Sequence, residues 1–291
     1  MNSMQVPAGD AVDSGAAIKR VLGLLDPAPA VPDLSHGYLD LLGNTPPESA
    51  GVAQWLMRTG AVPAIYQRWW RPALSRLVMG IAGPGMAGEY RLARSWLALS
   101  PGDTLLDLAC GPGNFTRELA AGPGHPGLVV GLDVSAAMLA RAVRDTSGAA
   151  ASRAVTGRGV TGRAAIAYVR ADAMNVPLRR DCIDAVCCFA ALHLMREPFG
   201  VLDKMTGVLR PGGRIALMTS CRRGAGGALS AASDLIGGMA GMRVFGRDEI
   251  TDALAERGYT GIRQRIAGAV QFVAGQLADI AATKHQPDVP S

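Results

Sequence analysis

Short apolar runs alternate with amphipathic stretches from about residue 103 onward, and that alternation sets the reading of the chain. Thr104 to Ala109, Leu128 to Asp133, Ile166 to Arg170, Ile183 to Phe189 and Arg214 to Thr219 are each predicted strands. Between them, Phe115 to Ala121 and Ala136 to Val143 are predicted helices, with Ser135 as the N-cap of the second. Pro198 opens another, carrying Val201, Leu202, Met205, Val208 and Leu209 on one face. Pro211-Gly212-Gly213 is a predicted turn before the fifth strand. A helix over Ile250 to Arg257 stops at Gly258, and Tyr259 to Ile266 with Ala269 to Val273 form a final hairpin. Strands that alternate with helices imply a parallel sheet covered on both faces.

The first hundred residues have a different texture. Residues 1–15 are expected to be a loose tail, and Ile18 to Leu25 a short helix ended by Pro27, Pro29 and Pro32. Short helices are also expected at Tyr38 to Leu42 and Val52 to Met57, with an aromatic-rich helical stretch over 63–79. Residues 1–95 therefore divide off as a tail and helical cap, and 96–291 as an α/β domain. Within that domain Thr146 to Arg163, made of Ala, Gly, Arg, Ser and Thr, lacks apolar periodicity and is expected to be a mobile insertion.

Composition narrows the class. Of 291 residues 49% are hydrophobic and 18% charged, which is a folded globular balance. The net charge of +5 is spread over scattered arginines without a long basic stripe, so a nucleic-acid face has little support. Five cysteines without CxxC spacing read as reduced core thiols, in keeping with a cytoplasmic protein. The chain starts without a signal-peptide pattern, and no apolar run approaches the roughly 18 residues of a membrane span. Histidines and cysteines do not fall at metal-ligand spacing, and no serine lies in a nucleophile elbow.

The chemistry concentrates at the predicted strand ends. Asp107 to Asn114 reads Asp-Leu-Ala-Cys-Gly-Pro-Gly-Asn, a strand closing in a Gly-rich turn that opens a helix. Gly111 and Gly113 let backbone approach a ligand closely. Thr116 stands where a dinucleotide pattern would have its third glycine, and Asp107 would oppose a pyrophosphate. A carboxylate there suits a ligand that presents an ammonium group. Asp133 can accept from both hydroxyls of a ribose, or cap the helix that follows. Asp172 can accept from an adenine amine, with the Ala173 amide reading a ring nitrogen, or stand in a solvated loop.

These motifs together resemble a class I S-adenosylmethionine-dependent methyltransferase, of the subgroup that includes ubiquinone/menaquinone methyltransferases. The resemblance spans residues 103–220. Beyond 106–113 and 131–135 it rests on Met138-Leu139, Asp172-Ala173 with Val176-Pro177-Leu178, Asp184-Ala185-Val186 running to Leu192-His193, and Leu209 to Arg214. It implies a Rossmann-like, seven-stranded, mostly parallel sheet with the last strand antiparallel, helices on both faces and an N-terminal helical extension. It implies S-adenosyl-L-methionine as cofactor, with Ala109, Cys110, Asn114, Val134 and Met138 added to its contacts. Phe189 then lies near the adenine, in the acceptor pocket or in the core.

Methyl transfer from a sulfonium mainly needs alignment and exclusion of water. If the acceptor must lose a proton, His193 is the candidate base; otherwise it packs against the cofactor or orders a loop. Tyr66 to Leu74 resembles an N-terminal segment of some uncharacterised bacterial and plastid members, and Tyr66, Trp69 and Trp70 either wall an apolar acceptor pocket or serve as helix contacts. The expected acceptor is a small apolar metabolite, quinone, lipid or polyketide-like, methylated at O or C. RNA or protein is the alternative, although neither an Asn-Pro-Pro-Tyr motif nor a Pro-Cys nucleophile is present.

Overall fold

The computed structural model describes residues 8–43, 45, 85–121, 124–156, 163–222 and 242–279. Helix α1 (Ala8–Leu22) and the two-residue strand β1 (Leu39–Asp40) precede α2 (Gly85–Leu97). Then follow β2 (Thr104–Leu108), α3 (Asn114–Leu119), β3 (Leu128–Asp133), α4 (Ala136–Thr156), β4 (Ala165–Arg170) and β5 (Ile183–Phe189). The series ends with α5 (Pro198–Val208), β6 (Leu209–Ser220), α6 (Glu249–Glu256), β7 (Tyr259–Ala267) and β8 (Val270–Leu277).

The strands form one mixed sheet in the order β1-β4-β3-β2-β5-β6-β8-β7. Neighbours from β1 to β6 run parallel, and β8 runs antiparallel to both β6 and β7. The expected architecture is therefore present, with β1 added to the seven strands anticipated. The order reverses at β2, which has β3 on one side and β5 on the other. In sheets of this kind a ligand cleft forms beyond the carboxyl ends of the strands at such a switch.

The central strands are apolar throughout because both faces are covered. All five residues of β2 and all six of β3 are buried. Leu106 and Leu108 point into one core, shared with Val21 of α1, Leu202 of α5 and Leu254 of α6. Leu105 points into the other, shared with Leu97 of α2 and Phe115 of α3. The side-chain period of two puts Asp107 on the Leu105 face, beneath α3.

Three segments depart from expectation. Helix α1 starts at Ala8, inside the stretch expected to be a loose tail. Tyr38 to Leu42 is not helical, because Leu39 and Asp40 pair with Val169 and Arg170 along the edge of β4. The Asp40 carboxylate accepts the Leu42 and Gly43 amides, a local turn that competes with helix. Residues 146–156, part of the stretch expected to be a mobile insertion, continue α4 as helix. The run is rich in alanine, and propensity carries a helix there without a repeating apolar face. The turn at 211–213 survives as a bulge within β6, opposite Ile183 to Ala185. The helices anticipated over 52–57 and 63–79 lie outside the described residues.

Gly131 has a packing reason. A Cβ there would stand 2.8 Å from two ring carbons of Tyr168 and 3.1 Å from Cys110 Sγ. Tyr168 is itself held by a 2.9 Å hydrogen bond between its hydroxyl and Thr146 Oγ1. Gly131→Ala is accordingly expected to destabilise the fold by about 1–3 kcal/mol. Urea unfolding measures it, and an unchanged midpoint would show that the ring yields freely.

Candidate functional site

The turns after β2, β3 and β4 are laced into a single rim. Cys110 N–H donates to Leu132 O at 3.0 Å, Gly111 N–H donates to Asp133 Oδ2 at 2.8 Å, and Ala171 N–H donates to Asp133 O at 3.2 Å. The Asp133 carboxylate also accepts the Ser135 amide at 2.8 Å. Ser135 Oγ in turn accepts the Met138 amide at 3.4 Å, so Ser135 caps α4 and Asp133 is left to join the two turns.

The Gly-rich turn is built from left-handed residues, with φ of +57° at Ala109, +55° at Gly111 and +72° at Gly113. A Cβ on Gly111 would meet nothing within 4 Å, so the turn faces open space at that point. A Cβ on Gly113 would fall 2.4 Å from the Tyr168 hydroxyl. The Arg117 guanidinium braces the turn by donating to Pro112 O and to Asn114 Oδ1, both at 2.7 Å.

Asp107 is 2% exposed. Thr116 Oγ1 donates to its Oδ2 at 2.6 Å, and the Cys187 thiol donates to its Oδ1 at 3.5 Å. Both donors are neutral. Burial pushes the Asp107 carboxyl up to about 6 despite them, and the nearby Asp133 charge adds to the rise. Burial also raises Asp133, opposed by the amides of Ser135 and Gly111. Two neighbouring carboxyls are thus buried at one rim without a cation between them in the described residues.

Asp172 is buried rather than solvated, and its Oδ1 accepts the Met174 amide at 2.9 Å at the start of a 3-10 turn, Ala173–Asn175. Val134, Met138 and Ala173 are buried beside the same strand ends. Asp107, Ala109, Cys110, Gly111, Gly113, Asn114, Asp133, Val134, Met138, Asp172 and Ala173 therefore share the carboxyl edge of β2, β3 and β4. Phe189 at the end of β5 is buried. Its ring stacks on Phe115 at 4.4 Å and 9°, and Tyr90 meets Phe115 edge-on.

His193 lies after β5 in the 3-10 turn Leu192–Leu194, with Nδ1 3.4 Å from Thr219 Oγ1. Burial pushes its pKa down to about 4, so the ring is neutral near pH 7 and is a weak base. Tyr66, Trp69 and Trp70 lie outside the described residues. Among the described residues no cluster of His, Cys, Asp and Glu is arranged to hold a metal ion.

Three participants escaped the sequence reading. Thr116 was noticed as a missing glycine, yet it is the hydroxyl that holds Asp107. Cys187 passed as an ordinary core thiol. Arg170 donates through Nη1 to Asp40 Oδ2 and Gly43 O, both at 2.8 Å, and through Nε to Val134 O at 3.3 Å. It ties the segment around β1 to the loop beyond Asp133. The alternation of β4 could have flagged it, as a charge ending an apolar strand.

Comparison with known proteins agrees with this geometry. Residues 106–217 match a family model described as a methyltransferase domain. An uncharacterized chloroplastic methyltransferase of Arabidopsis thaliana is 33% identical over 158 residues, covering 54% of this chain and 41% of the relative. A 2-phytyl-1,4-naphtoquinone methyltransferase of Synechococcus elongatus is 34% identical over 128 residues, covering 44% of this chain and 50% of the relative. The chain thus spans half or less of the length of these curated relatives. Among solved structures, a Haemonchus contortus phosphoethanolamine N-methyltransferase 2 superimposes with a TM-score of 0.57 at 14% identity, over 76% of this chain and 60% of that one. At that identity the likeness is one of fold.

The Asp107 shift has a definite sign. The carboxyl titrates near 3.8 when unfolded and near 6 when folded, so between those values the folded state holds more proton. Stability therefore falls as pH rises through this window, and the full deficit stands above pH 6. Asp107→Asn removes it. The variant is expected to gain stability over the wild type above pH 6, on the order of 2 kcal/mol, with the gain vanishing below the unfolded value. Thermal unfolding across pH 3.5–8 (roughly the range over which both forms titrate) checks this. A difference that grows toward acid would reverse the assignment.

Proposed function

We propose, for a chain whose residues 106–217 match a methyltransferase domain model, that it transfers the methyl group of S-adenosylmethionine to a small apolar acceptor at O or C. The observation that carries this reading is the rim itself, where an open glycine turn and two buried carboxyls meet at the switch point of a parallel sheet. An anionic dinucleotide phosphate would be repelled there, whereas a cationic nucleoside is favoured.

The residues present suit that cofactor. Asp133, already oriented by two amides, would hold the ribose hydroxyls. Asp172 and the Ala173 amide would face the adenine, and the turn from Ala109 to Asn114 the amino-acid part, with Asp107 supplying negative potential behind it. When bound, the cofactor supplies a methyl group on an already activated sulfonium. The protein's share is to orient the acceptor against it and keep water out.

A quinone-like acceptor is supported by the Synechococcus relative, whose name gives a naphthoquinone as its substrate. Tyr66, Trp69 and Trp70 are proposed to wall the acceptor pocket. His193 is proposed to face the acceptor. A cytoplasmic setting is proposed from the free thiols, four of five being buried, with a plastid as the rival suggested by the chloroplastic relative. Among the described residues no helix is long and apolar enough to cross a membrane.

Calorimetry tests the cofactor. S-adenosylhomocysteine is expected to bind and NAD not; binding of NAD alone would replace this reading with an oxidoreductase. Asp133→Ala is expected to weaken S-adenosylhomocysteine binding by roughly 2 kcal/mol, about thirtyfold, because charge-assisted bonds to two hydroxyls are lost. Unchanged affinity in a folded variant would refute the ribose assignment. Methyl transfer to tRNA in place of a 2-alkyl-1,4-naphthoquinol would move the acceptor to RNA.

A further inference from the structure

His193 is held at its backbone and at its ring. The Arg243 amide donates to the His193 carbonyl at 2.8 Å, fixing the backbone of its turn. Thr219 Oγ1, next to the end of β6, stands 3.4 Å from Nδ1. Thr219 is 1% exposed, and its hydroxyl has no other hydrogen-bond partner among the described residues. Nε2 has no partner there at all.

A neutral imidazole carries one N–H, so two arrangements compete. With the proton on Nδ1, Thr219 accepts, and its own O–H is left buried without an acceptor. With the proton on Nε2, the Thr219 hydroxyl donates to the Nδ1 lone pair, and the donor left over is Nε2–H, which reaches solvent and can meet water or a ligand where the buried Thr219 hydroxyl cannot. An orphaned buried donor costs more than an under-used acceptor. The second arrangement wins.

We propose that Thr219 is a positioning residue that locks His193 as the Nε2–H tautomer, so that the ring offers the methyl acceptor a hydrogen-bond donor and not a base. This rests on the methyltransferase reading and sharpens its acceptor class. The acceptor carries an oxygen that is the nucleophile or is conjugated with a nucleophilic carbon, and it enters ionised, as a phenolate or enolate whose proton has already gone to water. Its electron pair forms the new bond to the methyl carbon. The carbon–sulfur bond breaks with its pair left on sulfur, and the negative and positive charges cancel. The oxygen stays hydrogen-bonded to Nε2–H; where carbon is the nucleophile, the proton on that carbon leaves to water as the aromatic ring is restored, and no proton passes to the protein.

Nitrogen-15 NMR of the full chain labelled at histidine imidazoles tests the proposal without any acceptor. The His193 signals are assigned by their loss in His193→Gln, with and without S-adenosylhomocysteine. The expected result at neutral pH is protonation at Nε2 in the wild type, a mixture or reversal in Thr219→Val, and recovery in Thr219→Ser. With a 2-alkyl-1,4-naphthoquinol as probe, Thr219→Val is expected to lower kcat about tenfold or more while leaving the KM for S-adenosylmethionine within about twofold, and Thr219→Ser to restore it. A wild-type ring protonated at Nδ1, or one whose tautomer is indifferent to Thr219→Val, overturns the proposal. Failure to methylate the probe, with the tautomers as expected, counts instead against the quinone-like acceptor.

Discussion

One carboxylate receives amides from two turns, and the geometry of the rim depends on that convergence. Asp133 accepts the Gly111 amide from the turn after β2 and the Ser135 amide from the turn after β3, while its own carbonyl takes the Ala171 amide from beyond β4. Backbone groups at the ends of parallel strands have no ladder partner and need one when buried. A single aspartate meets that need for three neighbouring strands. The same oxygens that organise the fold are thereby fixed in orientation for a ligand, so that binding requires little rearrangement.

The cost of this arrangement falls on Asp107. Its partners are a hydroxyl and a thiol, which satisfy its hydrogen bonding but do not neutralise it. Raised pKa values on two adjacent buried carboxyls mark a place where charge is held against desolvation. A cation brought to the rim would relieve that penalty. Local instability and cofactor preference are thus two readings of one electrostatic fact, and natural proteins commonly concentrate such penalties at functional sites.

The sheet was legible in the sequence because β2, β3 and β5 are buried on both faces and appear as unbroken apolar runs. The gathering of Asp107, Gly111, Asp133 and Asp172 at one edge was legible too, since each ends or just follows such a run. Local rules failed where partners are distant in sequence. Leu39 and Asp40 form a strand only because the edge of β4 is there to receive them. Residues 146–156 carry helix without a repeating apolar face, the signal on which the expectation relied. Phe189 had three places open to it in the sequence, and the stacking of its ring on Phe115 had no local signal. Thr219 gave no local sign, because its contact with His193 joins β6 to the turn after β5, 26 residues away.

The reversed strand β8 lies between β6 and β7, although β7 is made first. Until β8 is synthesised, the outer edge of β6 has no partner to pair with and β7 has no place in the sheet. A nascent chain therefore leaves the ribosome with an apolar strand open along one side for as long as the intervening stretch is being translated. An exposed edge of this sort is a template for aggregation. Holdase chaperones that cover strand edges would act on this chain between the emergence of β6 and that of β8.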